Sequence, residues 1–225
     1  MTSLIRSQLI ACLFLISPFI VFAQKADTIV DSHYTWAELQ KKFIDYYTDS
    51  VGDKLPSYQK QNAILWVHEK LSLVNVVYVG YDNRIHAGQI VCHQAIANDI
   101  KQIFSELLLL RFPIYQCKPI SDFGFTDINS MQANNTNGFD YRLKTDSRAI
   151  SKHSYGLAID MNPVENPYKK GGQILPYNTD ESKATGRIRM TEETGRKVIS
   201  IFRRHGWGWG GNWRSLKDYM HFEKQ

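Results

Sequence analysis

The sequence predicts an α+β protein, and two observations support this class. Runs rich in β-branched residues and runs with a helical apolar stripe both occur, but they do not alternate regularly as in a doubly wound α/β sheet. In addition, 43% of the 225 residues are hydrophobic, which is enough for one globular domain with a buried core. The composition is not typical of a disordered, collagen-like or coiled-coil chain.

Residues 1–23 are predicted to be a signal peptide. Arg6 supplies a positive charge, residues 9–22 are almost entirely apolar, and Ala23 is the small residue that signal peptidase requires before Gln24. We therefore expect an exported protein, periplasmic or secreted, with no stable membrane insertion after cleavage. The alternative is an uncleaved anchor, although the apolar run is short for a membrane span.

Cleavage would leave a mildly basic chain. Arg6 is the one charged residue removed, so the net charge would be 26 − 22 = +4. Such a protein would be attracted to anionic polymers such as cell walls. Cys92 and Cys117 would remain, and they could either pair in an oxidising compartment or be buried free thiols.

Residues 24–70 are predicted to be an N-terminal helical or linker segment. Thr35 is followed three positions later by Glu38, which is the capping-box spacing at the start of a helix. Pro56 is expected to break the chain direction before a second helical piece. No residue of this segment indicates a chemical role.

The next elements are predicted from their hydrophobic periodicity. Residues 71–79 and 85–92 are rich in β-branched residues and predict two strands joined by a turn. Residues 93–111 predict a helix, because their apolar residues recur on one helical stripe. The residues of that stripe are Ile96, Ile100, Ile103, Phe104 and Leu107.

The second half of the chain predicts fewer regular elements. Residues 139–143 suit a short strand, and residues 162–176 are rich in Pro, Gly and Asn and predict a loop. Residues 191–205 predict a helix that Thr191 caps. Residues 219–223 predict a final strand.

Three side chains in this half are candidate metal ligands: His153, Asp160 and His221. Imidazole and carboxylate are ligands that zinc favours, and a catalytic zinc keeps one coordination position open. In an unbroken strand, His153 and Asp160 would face opposite sides, because they are seven residues apart. Gly156 lies between them and could supply a turn or bulge that brings them to one side.

Two carboxylates near His221 are candidates for proton transfer. Asp218 precedes the predicted last strand and could lean toward a metal without ligating it, as a general base and acid. Glu223 is the rival, or it supports the site by holding a ligand in place. Each of these residues also has an ordinary structural interpretation, such as a core histidine or an aspartate that begins a turn.

The combined motifs resemble the M15 family of murein metallopeptidases. They are Ser-x-His-x-x-Gly-x-Ala-x-Asp at residues 151–160, Gly-Trp-x-Trp-Gly-Gly-x-Trp at residues 206–213, and Asp-x-Met-His-Phe-Glu at residues 218–223. The similarity extends over residues 113–223. It implies a Hedgehog/DD-peptidase-like fold, with a small, mainly antiparallel sheet and flanking helices, and a catalytic domain over residues 71–225.

The resemblance also implies roles for single residues. It makes His153, Asp160 and His221 the ligands of Zn²⁺ and Asp218 the general base. Arg142 would polarise the scissile carbonyl or hold a substrate carboxylate, for which a guanidinium is suited. The alternative for Arg142 is a surface salt bridge. Ser151 would orient the substrate or close a turn.

The implied activity is zinc-dependent hydrolysis of a peptide bond in peptidoglycan stem peptides. The expected partner is peptidoglycan or a muropeptide, and no nucleic acid. Both D,D-carboxypeptidase and L-Ala-D-Glu endopeptidase activities are open, although Asp rather than Glu at position 218 is more similar to the endopeptidase branch. The alternatives are a non-catalytic zinc module of the same fold and a cell-wall binding protein whose tryptophans stack on sugars.

Overall fold

The structure is a computed structural model that describes residues 28–50, 56–144, 147–177 and 189–225. The predicted signal peptide lies outside these residues. Among the helices within these ranges, none is long and apolar enough to cross a membrane.

The described chain contains α-helices, short 3-10 turns and strands in mixed order. The helices are α1 (Trp36–Asp45), α2 (Ser57–Glu69), α3 (Ala97–Leu109), α4 (Asp127–Gln132) and α5 (Glu193–Arg204). The strands are β1 (Ile29–Val30), β2 (Leu71–Val79), β3 (Ile85–His93), β4 (Gln116–Cys117), β5 (Asn135–Thr136), β6 (Ala158–Asp160), β7 (Tyr168–Lys170), β8 (Gln173–Leu175), β9 (Trp207–Trp209), β10 (Lys217–Asp218) and β11 (His221–Lys224). The α+β class is therefore confirmed.

The described strands lie in four small sheets rather than in one. Their orders are β1-β3-β2, β6-β11-β9, β10-β7-β8 and the two-stranded β4-β5. Pairing is antiparallel except for β1 with β3 and β4 with β5. The sheet β6-β11-β9 carries two of the predicted ligands, and it is one of the antiparallel sheets.

The largest core lies between the β2–β3 hairpin and helices α3 and α5. Strands β2 and β3 pair over nine residue pairs, from Leu71 opposite His93 to Val79 opposite Ile85. The whole apolar stripe predicted for α3 is buried, so that prediction is confirmed. On the other side of this core, the ring of Phe202 from α5 stacks on Phe222 from β11 with centroids 4.0 Å apart. This stacking fixes the strand that carries His221.

A second core joins the N-terminal helices to the chain that leads into the candidate site. The capping box of Thr35 and Glu38 is present at the start of α1. Phe43 of α1 is fully buried and makes edge-to-face contacts with Phe125 and Phe139. Helices α1 and α2 therefore pack directly behind the segment around Phe139 that precedes Arg142.

Several local predictions were wrong. Helix α5 has Glu192 at its N-cap position without a side-chain cap bond, so Thr191 does not cap it. Residues 139–143 form no regular strand, and the predicted loop at residues 162–176 contains the β7–β8 hairpin. Short elements of two or three residues have no periodicity that a sequence can display.

The two cysteines of the described chain are buried free thiols. Burial raises the pKa of the Cys92 thiol to about 12 and that of Cys117 well above its usual value. Both thiols therefore remain protonated at neutral pH, as expected for structural rather than reactive cysteines.

The second core makes a testable prediction about the N-terminal helices. Phe43→Ala should lower the free energy of unfolding by about 3–5 kcal/mol, because it removes a fully buried aromatic ring. Urea denaturation measures the change. Tyr58→Ala is the matched control, because the Tyr58 side chain on α2 is 63% exposed. Equal effects of the two substitutions would contradict a shared core.

Candidate metal centre

His153 lies on a 3-10 turn (Lys152–Tyr155), not on a strand. The Ser151 hydroxyl accepts a hydrogen bond from the backbone N–H of His153 and so closes the start of the turn. Gly156 ends the turn at φ +65°, in the left-handed region. The chain then enters β6, so Gly156 supplies the turn that the separation of His153 and Asp160 requires.

Asp160 and His221 are brought together by strand register. Strand β6 pairs antiparallel with β11, and Asp160 lies directly opposite His221. Residues opposite each other on antiparallel strands point to the same face of the sheet. The flanking residues Ile159 and Phe222 point to the other face and are fully buried in the core. The alternation of side chains thus aims both candidate ligands at the 3-10 turn of His153.

The three predicted ligands form one buried group. One donor atom from each of His153, Asp160 and His221 lies within 4.8 Å of the others. The Nε2 atom of His153 is 3.1 Å from Nδ1 of His221 and 3.2 Å from Oδ2 of Asp160. The Nδ1 atom of His221 is also 3.1 Å from Oδ1 of Asp160.

Each histidine also has an outer ring nitrogen, which is the one that faces away from the other two ligands. The partner of this nitrogen is a group that can only accept a hydrogen bond. Nδ1 of His153 is 2.6 Å from the carbonyl oxygen of Gly138, and Nε2 of His221 is 3.2 Å from Oε2 of Glu223. A carbonyl and a carboxylate only accept, so the outer nitrogens carry the protons. The inner nitrogens, Nε2 of His153 and Nδ1 of His221, are then left with lone pairs.

Two lone pairs and a carboxylate that face one another require a cation or a proton between them. The pKa values of the group reflect this requirement. Although burial opposes it, the contacts with Asp160 and Glu223 raise the pKa of His221 to about 10. Burial likewise opposes the change at Asp160, whose pKa is lowered strongly by His153 and His221. This set of two imidazoles and one carboxylate fits a divalent metal such as zinc.

Asp218 lies at the end of β10, beside the three ligands. Its Oδ1 atom is buried and has no hydrogen-bond partner within the described part of the chain. Burial raises the pKa of Asp218 to about 7, and the nearby Asp160 charge acts in the same direction. A metal cation beside it would lower this value. Asp218 is thus a carboxylate whose free oxygen can exchange a proton.

Gly210 allows Asp218 to approach the metal group closely. A Cβ atom at position 210 would lie 2.6 Å from the Asp218 carbonyl oxygen and 3.3 Å from the His221 Cβ. The Trp213 ring lies against His221, with centroids 5.2 Å apart, and Trp207 is buried. This part of the glycine–tryptophan segment therefore packs around the site.

Arg142 is held by two carboxylates that sequence reasoning did not identify. Its Nε lies 3.0 Å from Oδ2 of Asp127 and 3.0 Å from Oδ2 of Asp140. Burial raises the pKa of Asp140 to about 7, with a further contribution from the Asp127 charge. Asp127 begins the short helix α4, which has no periodicity to reveal it. Asp140 lies two residues before Arg142, and residues two apart in an extended segment share a face. This spacing could have identified Asp140 as a partner of Arg142.

The metal group forms one side of a cavity of about 250 Å³. The cavity brings together all the predicted site residues except Asp160, which lies behind the two histidines. The lining residues are Arg142, Lys144, Ser147, Ser151, Lys152, His153, Tyr168, Lys170, Trp213, Leu216, Asp218, His221 and Glu223. A substrate that enters this cavity would meet the candidate ligands, Asp218 and Arg142 together.

Part of the chain is similar to known proteins. Residues 145–224 match the M15 family model that is described as D-alanyl-D-alanine carboxypeptidase. The resemblance of this segment to the M15 peptidases is confirmed. Over 73 residues the chain is 36% identical to the peptidoglycan L-alanyl-D-glutamate endopeptidase CwlK of Bacillus subtilis, which is 32% of this chain and 38% of that protein. No solved structure gives a significant match.

The turn at Gly156 makes a prediction with an internal control. A Cβ at Gly156 would meet the His93 backbone nitrogen at 2.5 Å, whereas Gly171, at φ +54°, has no atom within 4 Å of an added Cβ. Gly171→Ala should cost about 1 kcal/mol of unfolding free energy, from the backbone conformation alone. Gly156→Ala should cost about 2–5 kcal/mol, because it adds a steric clash.

Urea denaturation of both variants measures these costs. Equal costs at the two positions would show that the close approach of Gly156 to β3 does not determine the turn.

Proposed function

We propose that the protein is an exported zinc peptidase that hydrolyses a peptide bond in peptidoglycan stem peptides. The observation that carries the proposal is that the group of His153, Asp160 and His221 borders a cavity that Asp218 and Arg142 also line. Support comes from the matched family description, which names a D-alanyl-D-alanine carboxypeptidase, and from the relative's name, which refers to peptidoglycan. The chain spans 38% of the length of that relative.

The residues that would hold zinc are His153 through Nε2, His221 through Nδ1, and Asp160 through its carboxylate. When bound, zinc supplies a Lewis acid that lowers the pKa of water to about 7 and polarises a carbonyl oxygen. Glu223 and the Gly138 carbonyl would keep the two imidazoles in the orientation that ligation requires.

Asp218 is proposed to take the proton from the attacking water and to deliver it to the leaving amine. Its Oδ1 has no hydrogen-bond partner among the described residues, and burial raises the pKa of its carboxyl, whereas a bound metal cation would lower it again. A carboxylate in this position can accept a proton from water and release it to the leaving amine within one reaction cycle.

Arg142 is proposed to stabilise the negative charge that develops on the scissile carbonyl oxygen. Its Nε is engaged with Asp127 and Asp140 and its Nη1 donates to the Leu143 carbonyl oxygen, so Nη2 is the nitrogen that we propose contacts the substrate. A fixed guanidinium is effective in this role because it does not have to reorganise as the charge develops. Ser151 is proposed to line the substrate path while it caps the turn of His153.

Two activities fit this site, removal of a terminal D-alanine and cleavage between L-alanine and D-glutamate. The family description names the first, and the Bacillus relative is named for the second. We also propose that residues 71–225 adopt the Hedgehog/DD-peptidase-like fold and that residues 1–23 direct export. The antiparallel strands that carry Asp160 and His221 support the fold proposal.

The proposal is tested with Asp218→Asn on a defined stem pentapeptide, with products identified by mass spectrometry. The wild-type protein should release either D-alanine or L-alanine, which identifies the bond. The Asp218→Asn protein should keep its zinc but lose about 10²- to 10⁴-fold in rate, which is the usual contribution of general acid–base catalysis.

Asp45→Asn, on the exposed face of α1, is the matched control and should have wild-type activity. An Asp218→Asn protein as fast as the wild type would contradict the mechanism. Zinc binding without hydrolysis of any stem peptide by the wild-type protein would favour a non-catalytic zinc module.

A further inference from the structure

Two lysines stand beside the metal group on one β-like hairpin. Leu143 bridges Ile150, the Ser151 N–H donates to the Arg142 carbonyl at 3.0 Å, and the Lys144 N–H donates to the Ala149 carbonyl at 2.9 Å. Lys144 thus lies two residues beyond Arg142 on the same extended leg. Side chains two apart on such a leg share a face, so Lys144 follows Arg142 toward the cavity.

Lys152 reaches the same cavity from the other leg. It follows Ser151 and immediately precedes the candidate ligand His153. Both Lys144 and Lys152 line the cavity together with His153, His221 and Glu223. Both lysines therefore belong to the wall of the cavity that the metal group also borders.

Within the described ranges, neither Lys144 nor Lys152 has a carboxylate oxygen within the 4.0 Å of an ion pair. The Lys152 ammonium group instead donates a hydrogen bond of 3.5 Å to the backbone carbonyl oxygen of Lys224. A carbonyl group carries no net charge, so this bond does not neutralise Lys152. Glu223 lines the same cavity, and the hydrogen bond with His221 lowers the pKa of its carboxyl, with further contributions from the charges of Lys152 and Lys144. This single carboxylate offsets at most one of the two ammonium charges.

Arg142 differs from these lysines in its charge balance. Asp127 and Asp140 both contact its Nε, so carboxylates of the protein already pair with its single positive charge. Lys144 and Lys152 together carry more positive charge than the one Glu223 carboxylate can offset, so the excess positive charge in this wall of the cavity belongs to them.

From this arrangement we propose that Lys144 and Lys152 bind a free carboxylate of the substrate beside the scissile bond, while Arg142 serves the carbonyl alone. The inference rests on the proposed peptidase function. Binding of this carboxylate would make the protein selective for acidic stem peptides over their amidated forms. The carboxylate is either the α-carboxylate of D-glutamate or the C-terminal carboxylate, and both are charged at neutral pH.

The test uses one stem pentapeptide in three forms: the free acid, the carboxamide at D-glutamate, and the C-terminal carboxamide. The wild-type protein should show a lower kcat/KM on one amidated form, mainly through a higher KM. The expected change is about 10-fold for each lysine that can no longer pair with a carboxylate. The form that is affected identifies which carboxylate is bound.

Lys144→Gln and Lys152→Gln should each raise KM for the free acid by about 10-fold and leave KM for the affected amide nearly unchanged. Lys144→Glu should reverse the preference between the two forms. Lys197→Gln, an exposed lysine paired with Glu193 on α5, is the matched control and should change neither KM.

A wild-type protein that cleaves all three forms equally would overturn this inference while leaving the peptidase function intact. A wild-type protein that cleaves none would overturn the peptidase function itself. Lysine variants that lower kcat/KM equally on the free acid and the amide would show a general structural role and would also overturn the inference. Because Lys144 is exposed, its variants test the proposal even if Lys152→Gln does not fold.

Discussion

The pairing of β6 with β11 is the constraint on which the candidate site depends. It sets Asp160 opposite His221, and the stacking of Phe202 on Phe222 holds β11 against the main core from behind. Because side chains alternate along a strand, a shift of β11 by one residue would turn His221 into the core and Phe222 out of it. The turn at Gly156 then adds His153 from outside the sheet. A buried hydrophobic face thus fixes the positions of polar groups that would not hold one another in place without a cation.

Some charged side chains around the site have opposite charges beside them, and others do not. The metal group concentrates two imidazoles and a carboxylate, and Arg142 is matched by Asp127 and Asp140. Lys144 and Lys152 are two cations of the cavity wall that form no ion pair within the described residues, and they share the single Glu223 carboxylate. In a partly buried cavity, compensated charges serve mainly to fix geometry, whereas uncompensated charges attract a ligand of opposite sign. On this basis, Arg142 is proposed to act on the scissile carbonyl, whereas Lys144 and Lys152 are proposed to bind a substrate carboxylate.

Sequence patterns predicted the parts of this protein that are periodic or chemically distinctive. The β2–β3 hairpin, the buried stripe of α3 and the capping box of Thr35 followed from spacing alone. The candidate ligands could be named because imidazole and carboxylate are ligands that zinc favours, and because their motifs resemble those of the M15 family. Their convergence in space depends on strand register, which a single sequence does not display.

Other features could not be predicted, for physical reasons. The helix that carries Asp127 has six residues, and the β7–β8 hairpin has strands of three residues, so neither has a detectable period. The partners of Arg142 come from tertiary packing across 15 residues of chain in the case of Asp127. That the Lys144 ammonium group forms no ion pair within the described residues is likewise a property of the folded chain.

The metal content of the purified protein tests the central claim most directly. Elemental analysis of the wild-type protein and of His153→Ala, after both are loaded with zinc and desalted, should give one zinc per chain and almost none, respectively. Circular dichroism should show that the variant remains folded. A wild-type protein that retains no zinc, or a folded His153→Ala protein that retains one zinc per chain, would contradict the account.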